Sequence, residues 1–183
     1  MRIKKYIGYA GIAAILVMLG STASAQRFAY VDTEYILKHI PEYLAAQKQL
    51  DALSVKWQEE VDNRFSEIEK LYQAYQEDQV LLSEAMRRKR EDEIVNREQE
   101  AREFQRQKFG FEGDLFQERQ KLIQPIQERV SQAIQGIAKD QGLDVVLDKG
   151  SEVTFLYANP NLDKSDAVIT QLGYKPDPSL AEN

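Results

Sequence analysis

The sequence predicts a mostly α protein with a small β body, from which a long antiparallel helical hairpin, a coiled-coil tentacle, emerges. Three observations carry this. Residues 42–109 are 68 consecutive positions without Gly or Pro, 28 of them charged. Apolar residues within that run recur at coiled-coil spacing, and strand-like segments occur only outside it, around Phe28–Asp32, Leu143–Asp148 and Val153–Ala158.

The breaker-free run is rich in Glu, Gln, Lys, Arg, Leu and Ala, side chains that lose little rotamer freedom in a helix. As one straight helix it would span about 100 Å, and folded back it gives two arms of about 50 Å. Leu50, Leu53, Trp57, Val61, Phe65, Ile68, Tyr72 and Tyr75 succeed one another at steps of three or four, a seam with one stutter. After Asp78 the pattern gives way to Val80-Leu81-Leu82-Ser83, which places the tip near 79–83, with Ser83 capping the returning helix. On the return the seam thins to Met86, Ile94, Ala101 and Phe104. Residues 42–82 hold nine acids and four bases, residues 83–109 seven and eight, so the arms differ in charge balance, as antiparallel neighbours favour.

The N-terminus has the layout of an export signal. Arg2, Lys4 and Lys5 precede an apolar stretch from Tyr6 to Leu19, and Ala23-Ser24-Ala25 fits a small-residue cleavage site, so the chain is expected to be exported and its mature form to begin at Gln26. The apolar run falls short of the roughly 20 residues a membrane span needs. The mature chain then holds 21 Lys and Arg against 30 Asp and Glu, a balance that argues against nucleic-acid binding. There is no Cys, and His39 is the single histidine, so no metal site is expected, nor any cofactor. His39 is read as a structural residue. With no phosphate-binding glycine loop and no nucleophile beside a histidine, no catalytic residues are assigned and the chain is not expected to be an enzyme.

The expected division is a signal peptide at 1–25, a body from 26–41 and 114–174, a hairpin arm at 42–113 and a disordered tail at 175–183. In the body, Asp32 or Thr33 caps a short helix bearing Tyr35, Ile36, Leu37 and Ile40, and Pro41 opens the next. Phe109-Gly110-Phe111-Glu112-Gly113 is a joint whose two phenylalanines are expected to plug the space between arm and body, with a direct binding role as the alternative, and Asp114 is expected to cap the helix beyond it. Leu115, Leu122, Ile126, Val130, Ala133 and Ile137 mark that helix, which Pro125 is expected to bend, and Gly142 ends it. A last helix runs from Asp163 or Ser165 to Leu172. Three short strands make a marginal sheet with open edges, which is expected to complete itself across subunits through Phe28, Tyr30, Val145, Leu147, Phe155 and Tyr157.

Residues matching a known pattern are Phe28-Ala-Tyr-Val-Asp32, the charged hairpin, Leu115-Phe-Gln-Glu-Arg-Gln-Lys-Leu-Ile-Gln-Pro-Ile-Gln-Glu-Arg-Val130, Gly142-Leu-Asp-Val-Val-Leu-Asp-Lys-Gly150, Leu156-Tyr-Ala158 and Asn161-Leu-Asp163. With the signal peptide, the layout resembles the Skp (OmpH) family of periplasmic chaperones across essentially the whole mature chain. The resemblance implies a homotrimer with a β-rich core and three tentacles around a cavity that holds unfolded outer-membrane proteins without ATP. This chain departs from it in being acidic where a familiar member is strongly basic, and the Gly110–Gly113 joint is not shared by every member.

Two sets of residues are candidates for holding such partners. Phe65, Tyr72, Tyr75, Leu81, Leu82 and Phe104 offer dispersed apolar contacts, with seam packing as the competing role. Arg87-Arg88-Lys89-Arg90, the one run of four bases, stands at a helix N-terminus, where cations oppose the macrodipole by about 0.3 to 1 kcal/mol each. It is a candidate for electrostatic capture of anionic segments or for peripheral contact with lipid headgroups. The alternative is that Glu84 and Glu91-Asp92-Glu93 neutralise it into a solvated face. The rival for the whole chain is a structural or adaptor coiled coil of the envelope, which would want a dense apolar seam on both arms.

Overall fold

The computed structural model describes residues 26–151 and 156–180. The expected signal peptide and most of the expected strand 153–158, Phe155 included, lie outside them.

Strand β1 (Phe28–Val31) leads through Asp32 into α1 (Thr33–Lys38). Asp32 caps α1 by accepting from the Tyr35 backbone N–H at 2.9 Å. Pro41 then opens α2 (Pro41–Asp78), a 38-residue helix of about 57 Å. Residues 79–83 form the turn, and α3 (Glu84–Phe109) starts on Ser83, whose hydroxyl accepts from Met86 N–H. After the Gly110–Gly113 joint, α4 (Asp114–Gln141) runs on through Pro125 and stops at Gly142, which takes the left-handed conformation at φ 61°. Strand β2 (Val145–Asp148), a short 3-10 turn at Pro160–Leu162, α5 (Ser165–Gln171) and a second 3-10 turn at Pro178–Leu180 complete the described chain.

Contacts along α2 show how the helices run. Trp57 meets Phe109 at the end of α3, Leu50 shares a core with Ile123 of α4, and Glu42 pairs with Arg129 further along α4. Thus α3 and then α4 return in succession along one α2, and two separate cores result. The body core gathers Val31, Tyr35, Ile36 and Ile40, then Ala46 and Leu50 of α2, the α4 residues Ile123, Ile126, Val130, Ala133 and Ile137, and Val168 and Ile169 of α5. The arm core holds only Ile68, Tyr75, Ile94 and Ala101. The first turns of α2, expected in the arm from Glu42 onward, therefore pack into the body, because α4 and not α3 lies beside them.

Among the described residues the sheet is two parallel strands in register, Phe28 with Val145 through Val31 with Asp148, and an isolated bridge joins Tyr30 to Asp163. Residues 156–158 are not strand, so Tyr157 does not extend the sheet. Ala29 and Val31 are buried on the inner face, while Phe28, Val145 and Leu147 stay 38–45% exposed on the outer one. Tyr30, although in register with Leu147, is buried. Its phenol is pushed to higher pKa by burial and then by Asp163.

Two further expectations are corrected. Asp114 is not a cap but the first residue of α4, and its carboxylate turns back to the Lys108 ammonium. The tail expected to be disordered is docked as far as Leu180, which packs against the body core.

Candidate functional site

The arm's register decides which apolar side chains face a neighbour and which face water. Val61, Ile68 and Tyr75 are buried seven residues apart, and Trp57, Arg64 and Leu71 are half-buried at the intervening heptad position. Phe65 and Tyr72, expected on the seam, stand one residue beyond it and are 37% and 47% exposed. Arg64 holds the place beside them. Its guanidinium lies 4.3 Å from the centre of the Phe104 ring and pairs with Glu60 at 2.7 Å, so a cation stacked on an aromatic face does the seam's work there.

Opposite, α3 contributes few apolar groups: Ile94 and Ala101 are its buried residues. Arg87 and Lys108 occupy the same heptad position at either end. Tyr75 closes the tip side by donating its hydroxyl to the Glu91 carboxylate, and that bond, ahead of burial, raises the phenol's pKa. At the joint, Lys108 lies 4.9 Å from the Trp57 ring centre and 5.4 Å from that of Phe104 while pairing with Asp114, which ties the end of α3 to the start of α4. Phe109 packs edge-on against Trp57 at 6.4 Å. Phe111, expected to plug the joint with it, is instead 96% exposed. Between the arms an open groove of about 640 Å³ is lined mainly by charged side chains, among them Glu60, Glu67, Arg97 and Glu100.

The client candidates from the sequence thus separate. Phe65, Tyr72 and Leu81 face solvent, while Tyr75, Leu82 and Phe104 pack within the arm. Sequence reasoning missed Val80, Met86 and Val95, all more than half exposed. Val80 was legible as a turn residue beside Leu81, and Phe111 as an aromatic held between two glycines.

The basic run does not form one patch, since four consecutive helical residues spread around the axis. Arg87 turns toward the seam, half-buried, with its Nε lacking a hydrogen-bond partner. Arg88 pairs with Glu84 at 3.6 Å and Arg90 with Glu93 at 3.1 Å. Lys89 is exposed. Among the described residues no group of His, Cys, Asp or Glu could hold a metal ion, and no helix is long and apolar enough to cross a membrane.

With this geometry in hand, comparison with known proteins places the fold. A solved OmpH-like outer membrane chaperone from Caulobacter crescentus superposes with a TM-score of 0.62 at 14% identity, over 84% of this chain and 88% of that one. Chaperone protein Skp of Pectobacterium atrosepticum is 23% identical over 145 residues, covering 79% of this chain and 86% of its own. The family model for the outer membrane protein (OmpH-like) family matches residues 27–172, body and arm together. The chain belongs to the OmpH-like family.

Proposed function

We propose that this protein is a periplasmic, ATP-independent holdase that binds unfolded outer-membrane proteins between its helical arms and keeps them from aggregating. One observation carries the reading: exposed apolar side chains are dispersed along an otherwise charged arm, at Phe65, Tyr72, Val80, Leu81, Met86, Val95 and Phe111. Such a surface gives many weak contacts to an unfolded chain without selecting a sequence. Those side chains can meet a client while the few in the arm core hold the two helices together. The names of the relatives, Skp and an OmpH-like chaperone, point the same way.

The working form is a homotrimer, in which the outer faces of three small sheets, with Phe28, Val145 and Leu147, bury one another. Residues 1–25 export the chain, with cleavage after Ala25. Arg88, Lys89 and Arg90 at the tip add electrostatic attraction to anionic client segments or lipid headgroups, damped by their own Glu84 and Glu93 partners.

A urea-denatured outer-membrane β-barrel protein, diluted into the mature protein without ATP, tests the reading by light scattering. Suppression of scattering at one trimer per client is expected. Scattering equal to that without the protein would sink it.

A further inference from the structure

The family match ends at residue 172, yet the chain continues in a docked strap, residues 173–180, that crosses the root of the arm. Tyr174 donates its hydroxyl to Glu42 of α2 at 2.9 Å, and Arg129 of α4 reaches both Glu42 and that hydroxyl at 3.5 Å. Three residues on, the strap meets His39, the residue that ends α1 just before α2 begins. The backbone N–H of Asp177 donates to His39 Nε2 at 2.8 Å, and His39 Nδ1 lies 2.8 Å from the Tyr35 carbonyl oxygen. A backbone N–H can only donate and a carbonyl oxygen can only accept. The two bonds together therefore require one ring state, with the proton on Nδ1 and a lone pair on Nε2. That state is neutral imidazole.

We propose that residues 173–180 form a pH-gated strap, latched across the arm root by neutral His39 and released when that ring is protonated. A proton on Nε2 would point at the Asp177 N–H, and the bond is lost. The titratable groups around the latch are Tyr35 on α1, Asp166 on α5, Glu42 on α2, and Asp177 and Lys175 in the strap. Asp177 is the one that would attract the imidazolium. Its carboxylate, however, accepts from the Ser179 hydroxyl and backbone N–H, and these bonds, ahead of the charge on His39, hold its pKa below the usual carboxylate range. Turning that carboxylate to the ring would give up its two Ser179 bonds, so protonation loosens the strap by either route. Glu42, with its pKa lowered by its own backbone N–H and then by Tyr174, stays charged through this range and does not share the switch. The site of action is the junction from which the 38-residue α2 departs.

A latch that closes only on the neutral ring loosens as the ring takes up a proton on acidification. Amide hydrogen exchange of residues 173–180 in the full mature chain, corrected for the intrinsic pH dependence of exchange, measures this directly. Protection is expected to be lower at pH 5.5 than at pH 7.5 in the wild type. In His39→Gln, whose amide does not titrate, it should be independent of pH, and in His39→Ala low throughout. Tyr174→Phe, which leaves the His39 bonds in place, should keep the pH dependence. Wild-type protection that does not change with pH, or a fall in His39→Gln as large as in the wild type, would overturn the proposal.

Discussion

Tyr35 shows how one side chain couples a helix to the C-terminal elements. It is buried at the end of the body core and donates its hydroxyl to Asp166 of α5 at 3.1 Å. Burial, and then Asp166, push its phenol up to about 12. Because the folded state raises this pKa above the unfolded value, the contribution of Tyr35 is complete below about pH 10 and is lost as pH rises through about 12. Tyr35→Phe is therefore expected to cost about 1 kcal/mol at neutral pH. It should also flatten part of the alkaline fall in melting temperature, with Tyr30 and Tyr174, whose phenols are also raised, supplying the rest. Denaturation monitored by far-UV circular dichroism across that range checks both. At the tip, neighbouring leucines have opposite surroundings. Leu81 is 83% exposed, whereas Leu82 packs on the arm core. Leu81→Ala is expected to weaken client holding in the light-scattering assay with no change in melting temperature, and Leu82→Ala to destabilise the arm by about 1 to 2 kcal/mol. A melting loss at Leu81 equal to that at Leu82 would assign both to structure.

At the scale of elements, the joint between α3 and α4 is built around lack of space. Gly110 and Gly113 have ordinary negative φ, so neither is required by backbone conformation. A Cβ at Gly110 would stand 2.3 Å from the Arg106 carbonyl oxygen, and one at Gly113 2.8 Å from that of Gln107. Both obstacles are backbone and cannot rotate away. Gly110→Ala is expected to cost about 1 to 3 kcal/mol and to lower the arm's thermal transition. Glu112→Gly should be neutral or stabilising, since Glu112 sits at φ 56°. The two melts together decide whether space or flexibility governs the joint. The helical elements were legible in the sequence because period, caps and breakers are local: the Gly- and Pro-free run, Ser83, Pro41 and Gly142 each act within a few residues. The seam was legible only in part. Counting apolar residues puts Phe65 and Tyr72 inside, but Arg64 takes that side because Glu60 and the Phe104 ring, 40 residues away, give its guanidinium partners. The strap was illegible for the same reason, since its anchor is a histidine 138 residues earlier in the chain.

At the scale of the molecule, the body leaves unfinished what a monomer would have to cover. Among the described residues its sheet has two strands, a size that is marginal in water, and Phe28, Val145 and Leu147 lie exposed on one face of it. Leu156 and Tyr157, further along the chain from β2, are 97% and 82% exposed. The inner face, by contrast, is sealed by Ala29 and Val31. An asymmetry this sharp, in a body whose helices have buried their own apolar stripes, fits a subunit whose second core forms with copies of itself. Size exclusion coupled to light scattering should give three times the mass of the mature chain at micromolar concentration. Leu147→Asp, which places a charge on the outer face without touching the body core, should dissociate the assembly and lower its melting temperature. A folded wild-type monomer at that concentration, or a trimer unaffected by Leu147→Asp, would place the subunit contact elsewhere.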